Sequence, residues 1–130
     1  MTPQSETHAM KRDDAGFVWG SRLAFVTLLI VITDLALSPG FSGHAHLFGP
    51  DKIEHFAAFG ALTLFARAGW PRINVYIAAA LLMGYGVAIE LIQGAQMTGR
   101  TASLADLAAD ALGVLAGLAI AAVFIRLHRS

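Results

Sequence analysis

The sequence predicts an all-α membrane protein, a bundle of four transmembrane helices with both termini in the cytoplasm. Three observations predict it. Of 130 residues, 56% are apolar before any glycine is counted and 14% are charged. Soluble domains have about 45–50% apolar residues with glycine included, and about 25% charged. A domain this small has a large surface for its volume, and this chain lacks the polar residues to cover it. Second, the apolar residues fall into four blocks, each close to the roughly 20 residues that take a helix across a bilayer. Third, the basic residues gather at one set of block ends and the acidic residues at the other.

The first 16 residues (MTPQSETHAMKRDDAG) read as a mobile polar tail, and residues 17–130 as a single membrane domain. The first span runs from about Trp19 to Leu37 and ends at Pro39-Gly40, where the chain loses an amide donor and gains backbone freedom. A signal peptide is the competing reading of this block. Lys11, Arg12 and Arg22 precede its apolar core, and Ala36-Leu37-Ser38 is a passable cleavage site. Asp34 within the block and the long lead before it argue against cleavage.

The second span covers about residues 53–70 and stops at Pro71. The third covers 73–93 and is uncharged from Ile73 to Ile89, and the fourth covers 104–127 and is uncharged from Ala111 to Ile125. None alternates strictly, which disfavours barrel strands. Helices satisfy their own backbone groups in lipid, so helices are the expected form.

The cationic side chains orient the bundle. Lys11, Arg12 and Arg22 flank the start of the first span, Arg67 and Arg72 bracket the middle turn, and Arg126 and Arg129 close the chain. The other two loops hold only Lys52 and Arg100. That bias places both termini and the middle turn inside, with Trp19 and Trp70 at the same interface. The formal net charge of zero offers no general attraction for nucleic acid. The chain has no cysteine, which excludes disulfides, thiolate metal sites and a Cys nucleophile.

The remaining ionisable residues fall at the outer ends of the spans. Asp51, Lys52, Glu54 and His55 open the second, Glu90 and Gln93 sit in the last turn of the third, and Asp106 and Asp110 begin the fourth. Arg100, Thr101 and Ser103 lie in the loop before it. Ionisable groups in spans are costly and face the bundle interior, paired or hydrated. Asp106, Asp110, Gly113 and Gly117 form one helical stripe, and Ala109, Gly113, Gly117 and Ala121 repeat small residues every four positions, as closely packed membrane helices do. Met83, Gly86, Glu90 and Gln93 share a face of the third helix, and Lys52, His55, Phe56 and Phe59 share one of the second.

Asp51-Lys52-x-x-His55-Phe56, Glu90-x-x-Gln93 and Gly99-Arg100-Thr101-Ala102-Ser103-x-x-Asp106, followed by Gly113 and Gly117, resemble the VanZ-like family of membrane proteins. The resemblance runs from Asp51 to about Gly117, roughly half of the chain. The family usually has Asn where this chain has Asp110. Membership implies a small polytopic protein of the bacterial envelope, in the cytoplasmic membrane. The family is named for a member linked to teicoplanin resistance, and membership supplies no established reaction.

Plainer roles stand beside these. Asp51 with Glu54, and Ser103 with Asp106, suit helix N-caps, although capping does not account for Asp110 one turn deeper. His55 suits a ring paired with a carboxylate, and Arg100 an ion pair with Glu90 or Asp106. His44-x-His46 with Glu90 and Asp106 is a weak zinc pattern without a third fixed ligand, so no metal and no cofactor are expected. Ser103 has no adjacent His to activate it, and no phosphate-binding glycine loop is present.

The candidate ligand-binding residues are therefore Asp51, Lys52, His55, Glu90, Gln93, Arg100, Ser103, Asp106 and Asp110. Five acids against Lys52 and Arg100 favour a cationic or hydrogen-bonding ligand over a bare phosphate. The leading expectation is an outward-facing polar cleft for a lipid headgroup, a cell-wall precursor or a glycopeptide-like antibiotic. A membrane enzyme is the alternative, with Glu90 or Asp106 as general base and Lys52 or Arg100 as electrostatic stabiliser. A proton-coupled carrier is a third reading, weakened by the lack of ionisable residues in the inner half of the bundle. Membrane lipids are the expected partners, with no nucleic acid; the oligomeric state is not set by the sequence.

Overall fold

A computed structural model describes residues 3–38, 51–95 and 104–129, and their regular structure is entirely helical. The four helices are α1 (Pro3–Leu37), α2 (Asp51–Gly69), α3 (Val75–Ala95) and α4 (Leu104–Arg129). Three of the four predicted spans thus match their helices to within about two residues at each end. The fourth, α1, starts well before the predicted Trp19, because the polar segment read as a tail is helical from Pro3 onward. Proline is well placed at the start of a helix, and the Glu, Ala, Met, Lys and Arg that follow are good helix formers. Extending an existing helix needs no new nucleus.

The turn between α2 and α3 is closed by local bonds. Trp70 N donates to Ala66 O at 2.9 Å and Ile73 N to Trp70 O at 3.1 Å. Pro71 cannot continue the helix ladder. Asn74 caps α3, its Oδ1 accepting from Tyr76 N at 2.8 Å, which satisfies one of the free donors of the first turn.

Helix α2 is the hub. It packs most extensively against α4, then α1, and also touches α3; α1 and α4 do not meet among the described residues. The predicted small-residue stripe of α4 makes the main contact: Ala109, Gly113, Gly117 and Ala121 are all buried. A Cβ on Gly113 would collide with the Phe56 carbonyl oxygen, and one on Gly117 would lie 2.6 Å from Thr63 Cβ. Hydrogen in place of a side chain at these two positions sets the separation of the helices. Phe59, Leu62, Leu82 and Val114 fill the space between α2, α3 and α4.

Burial is inverted relative to a soluble protein. Leu23, Leu81 and Leu115 are each more than 60% exposed, whereas Asp110 is 1%, Glu90 2% and Gln93 5% exposed. An aqueous protein would reverse both sets. Asp14–Leu37, Val75–Ala95 and Leu104–His128 are long and apolar enough to cross a membrane. The central α2 carries Lys52, Glu54 and Arg67 and does not reach that hydropathy among the described residues. Its neighbours enclose it, so it presents less of itself to the surroundings.

Candidate functional site

The end of the bundle formed by the start of α2, the end of α3 and the start of α4 collects the buried acids, Glu90 and Asp110, with Gln93. His55 comes from α2, Glu90 and Gln93 from α3, and Asp106 and Asp110 from α4. The Nδ1 atom of His55 is 2.8 Å from Oδ1 of Asp110, and its Nε2 atom is 3.9 Å from Oδ2 of Asp106. The two acids are one helical turn apart and flank the imidazole on its two nitrogen sides. A carboxylate at this position would accept a hydrogen bond from Nδ1–H, with Nε2 on the Asp106 side.

A buried carboxylate is tolerated where it is hydrogen-bonded and has space. Here the space comes from α3: a Cβ on Gly86 would lie 2.9 Å from Oδ2 of Asp110. Gly86 is one turn before Glu90, so the predicted polar face of α3 both supplies an acid and accommodates another.

Helix α1 is joined to this end by two polar contacts. Gln93 Nε2 donates to Ala36 O at 2.9 Å, satisfying a carbonyl in the last turn of α1. The Thr33 hydroxyl donates to Leu29 O at 2.7 Å and lies 2.7 Å from the Tyr85 hydroxyl. Its single proton is used on Leu29, so Tyr85 is the donor of the second bond. Between α1 and the other helices lies a cavity of about 160 Å³. Glu54, His55, Gln93 and Asp110 form its polar side, while Ile32 and Leu35 of α1 and Ile89 of α3 form an apolar wall.

His55, Glu90, Asp106 and Asp110 are therefore brought together, with Gln93 on the adjoining cavity wall. Lys52 is exposed. Phe56 is 43% exposed, and its backbone carbonyl, not its ring, meets Gly113. Arg100 and Ser103, with Thr101, His44 and His46, lie outside the described residues, as does the side chain of Asp51.

Sequence reasoning missed Tyr85, Thr33 and the apolar wall from α1. One signal for Tyr85 was available. Tyr85, Ile89 and Gln93 follow at intervals of four, on one line of α3, and all three border the cavity. As for metal capacity, His55, Glu90 and Asp106 each offer one ligand atom, and these atoms lie within 4.8 Å of one another.

The opposite end of the bundle has a different character. Arg22 Nε donates to Gly69 O at 2.7 Å, and its guanidinium sits 4.9 Å from the Trp19 ring centre and 5.4 Å from that of Trp70. Phe25 meets Trp70 edge-on at 5.3 Å. This cluster fastens α1 to the end of α2 by a charge-assisted bond and cation–π contact. The two tryptophans predicted at one interface do share one end.

No curated protein and no solved structure matches the chain. A family model does match it, that of VanZ/LLP1, over residues 7–125. The match extends well beyond the motifs between Asp51 and Gly117 and takes in all four helices. The chain belongs to the VanZ/LLP1 family.

Proposed function

We propose that this VanZ-family protein crosses the bacterial cytoplasmic membrane four times, with both termini inside. The positive residues at the Arg22–Arg67–Arg72 end support that orientation. The polar site at the other end then faces outward. Its role is to bind the headgroup of a lipid or a lipid-linked cell-wall precursor, and the ligand group is small and cationic or rich in hydrogen-bond donors.

The observation that carries this reading is the burial of Glu90, Gln93 and Asp110 around His55, at one end of a bundle whose exterior is apolar. Buried acids in such a setting cost stability unless they serve an interaction. A volume of about 160 Å³ is near that of a cavity that holds benzene and below the range of about 300–1,000 Å³ for drug-sized ligands. The cavity fits a small polar group with the start of an apolar tail; a whole glycopeptide is too large for it. Mass spectrometry of lipids retained by the protein in mild detergent tests the reading. Enrichment of one headgroup class in wild type, lost in Glu90→Ala and Asp106→Ala, supports it; an unselective lipid profile unchanged by both overturns it.

The His55–Asp110 contact favours one second reading, an enzyme in which Asp110 orients His55 as a general base, with Nε2 as the reacting atom. That choice differs from the Glu90 or Asp106 base expected from sequence. Turnover of lipid-linked phosphates or glycans by purified protein, abolished in His55→Ala, distinguishes it from binding alone.

A further inference from the structure

We propose that His55, Glu90 and Asp106 bind a single divalent transition-metal ion, zinc being the simplest fit, with Asp110 as the group that orients the histidine. The ion does not depend on which headgroup the neighbouring cavity takes. The three ligand atoms come from three different helices and converge within 4.8 Å. In a tetrahedral site, bonds of about 2.0–2.2 Å to nitrogen and oxygen put the ligand atoms of one zinc ion roughly 3.3–3.6 Å apart. The Nε2–Oδ2 separation of 3.9 Å between His55 and Asp106 lies close to that spacing. Drawing the widest pair together takes side-chain movements of roughly 1–1.5 Å.

The second observation is how the imidazole is held. Metal-bound histidines characteristically give their other N–H to a carboxylate, which fixes the ring and makes the ligating nitrogen more basic. Asp110 stands in that position at 2.8 Å from Nδ1 and is 1% exposed. Its bond leaves Nε2, on the Asp106 side, as the ligating atom. One nitrogen and two carboxylate oxygens form a donor set suited to zinc and its first-row neighbours. Three protein ligands also leave a fourth position open, the arrangement that lets a metal bind an exogenous group.

Full-length protein in metal-free detergent, titrated with Co²⁺ and followed by visible ligand-field absorption, tests the site. Zn²⁺ displacement then reports its affinity. Saturation at one ion per chain is expected. Glu90→Gln and Asp106→Asn, which keep side-chain shape, and His55→Ala should each abolish saturable binding. Asp110→Asn should weaken it by roughly 10–100-fold, as loss of an orienting carboxylate does. Asp34→Asn, on an exposed residue of α1, should bind as wild type does, and circular dichroism confirms that each variant remains helical. Absence of one-per-chain binding, or binding unaffected by all three ligand variants, overturns the proposal. Binding that emerges only in Arg100→Gln also overturns it, because a guanidinium would then be the resident cation.

Discussion

His55 and Asp110 join α2 to α4 through a 2.8 Å contact to a carboxylate that is 1% exposed. Replacing Asp110 with Leu leaves the imidazole without its acceptor and puts bulk against Gly86. We expect a loss of about 3–5 kcal/mol, the scale for removing one partner of a buried pair. Asp110→Asn retains an oxygen acceptor for the same Nδ1–H, so it should keep most of the stability. Thermal unfolding in detergent of the two variants against wild type measures the difference.

The close approach of α2 and α4 gives a second expectation. Gly113→Ala places a methyl group against the Phe56 carbonyl and should cost about 1–3 kcal/mol by overpacking. Gly84 has nothing within 4 Å of a built Cβ. There alanine should be neutral or stabilise by up to about 1 kcal/mol through helix propensity. Unfolding by denaturing detergent ranks the two variants.

Tyr85→Phe removes only the bond to Thr33. A loss of about 0.5–1.5 kcal/mol is expected. A double-mutant cycle with Thr33→Val should show that the two changes are not additive, since each removes the same contact. Additivity would mean that the hydroxyl groups do not interact.

Arg22→Ala removes the bond from α1 to Gly69 and the cation contact with both tryptophans. The chain has only two tryptophans, so their emission reports this one cluster. A shift in emission maximum and a lower midpoint of unfolding are expected; Arg22→Lys should restore neither fully, because an ammonium lacks the planar group that stacks on rings.

The proposed orientation can be tested on a chain without cysteine. Single cysteines placed at Arg72 or Ser130 should react with a membrane-impermeant thiol reagent only after the cytoplasmic side is opened. Cysteines at Ala45 or Thr98 should react in intact cells. The opposite pattern reverses the topology.

The helices and much of the site were legible from spacing alone. Long uncharged runs mark α3 and α4, and the four-residue repeat of small side chains on α4 locates its contact with α2. Glu90, Gln93 and Asp110 stood out because a polar group inside an apolar run needs a partner. What could not be read depends on how helices cross. Thr33 and Tyr85 are unremarkable within their own segments, and only the placement of α1 beside α3 makes them a pair. The helical stretch from Pro3 has no apolar stripe in its sequence to reveal it. Lys52 matches the His55 face in periodicity and stands exposed in the first turn of α2.

The cavity has walls of two origins. Its titratable side belongs to α2, α3 and α4, and much of its apolar side belongs to α1, which does not meet α4 among the described residues. The polar and apolar walls of the cavity are thus carried by separable parts of the chain. Substitutions at Ile32 or Leu35 should reshape the apolar wall while leaving the His55–Asp110 contact in place.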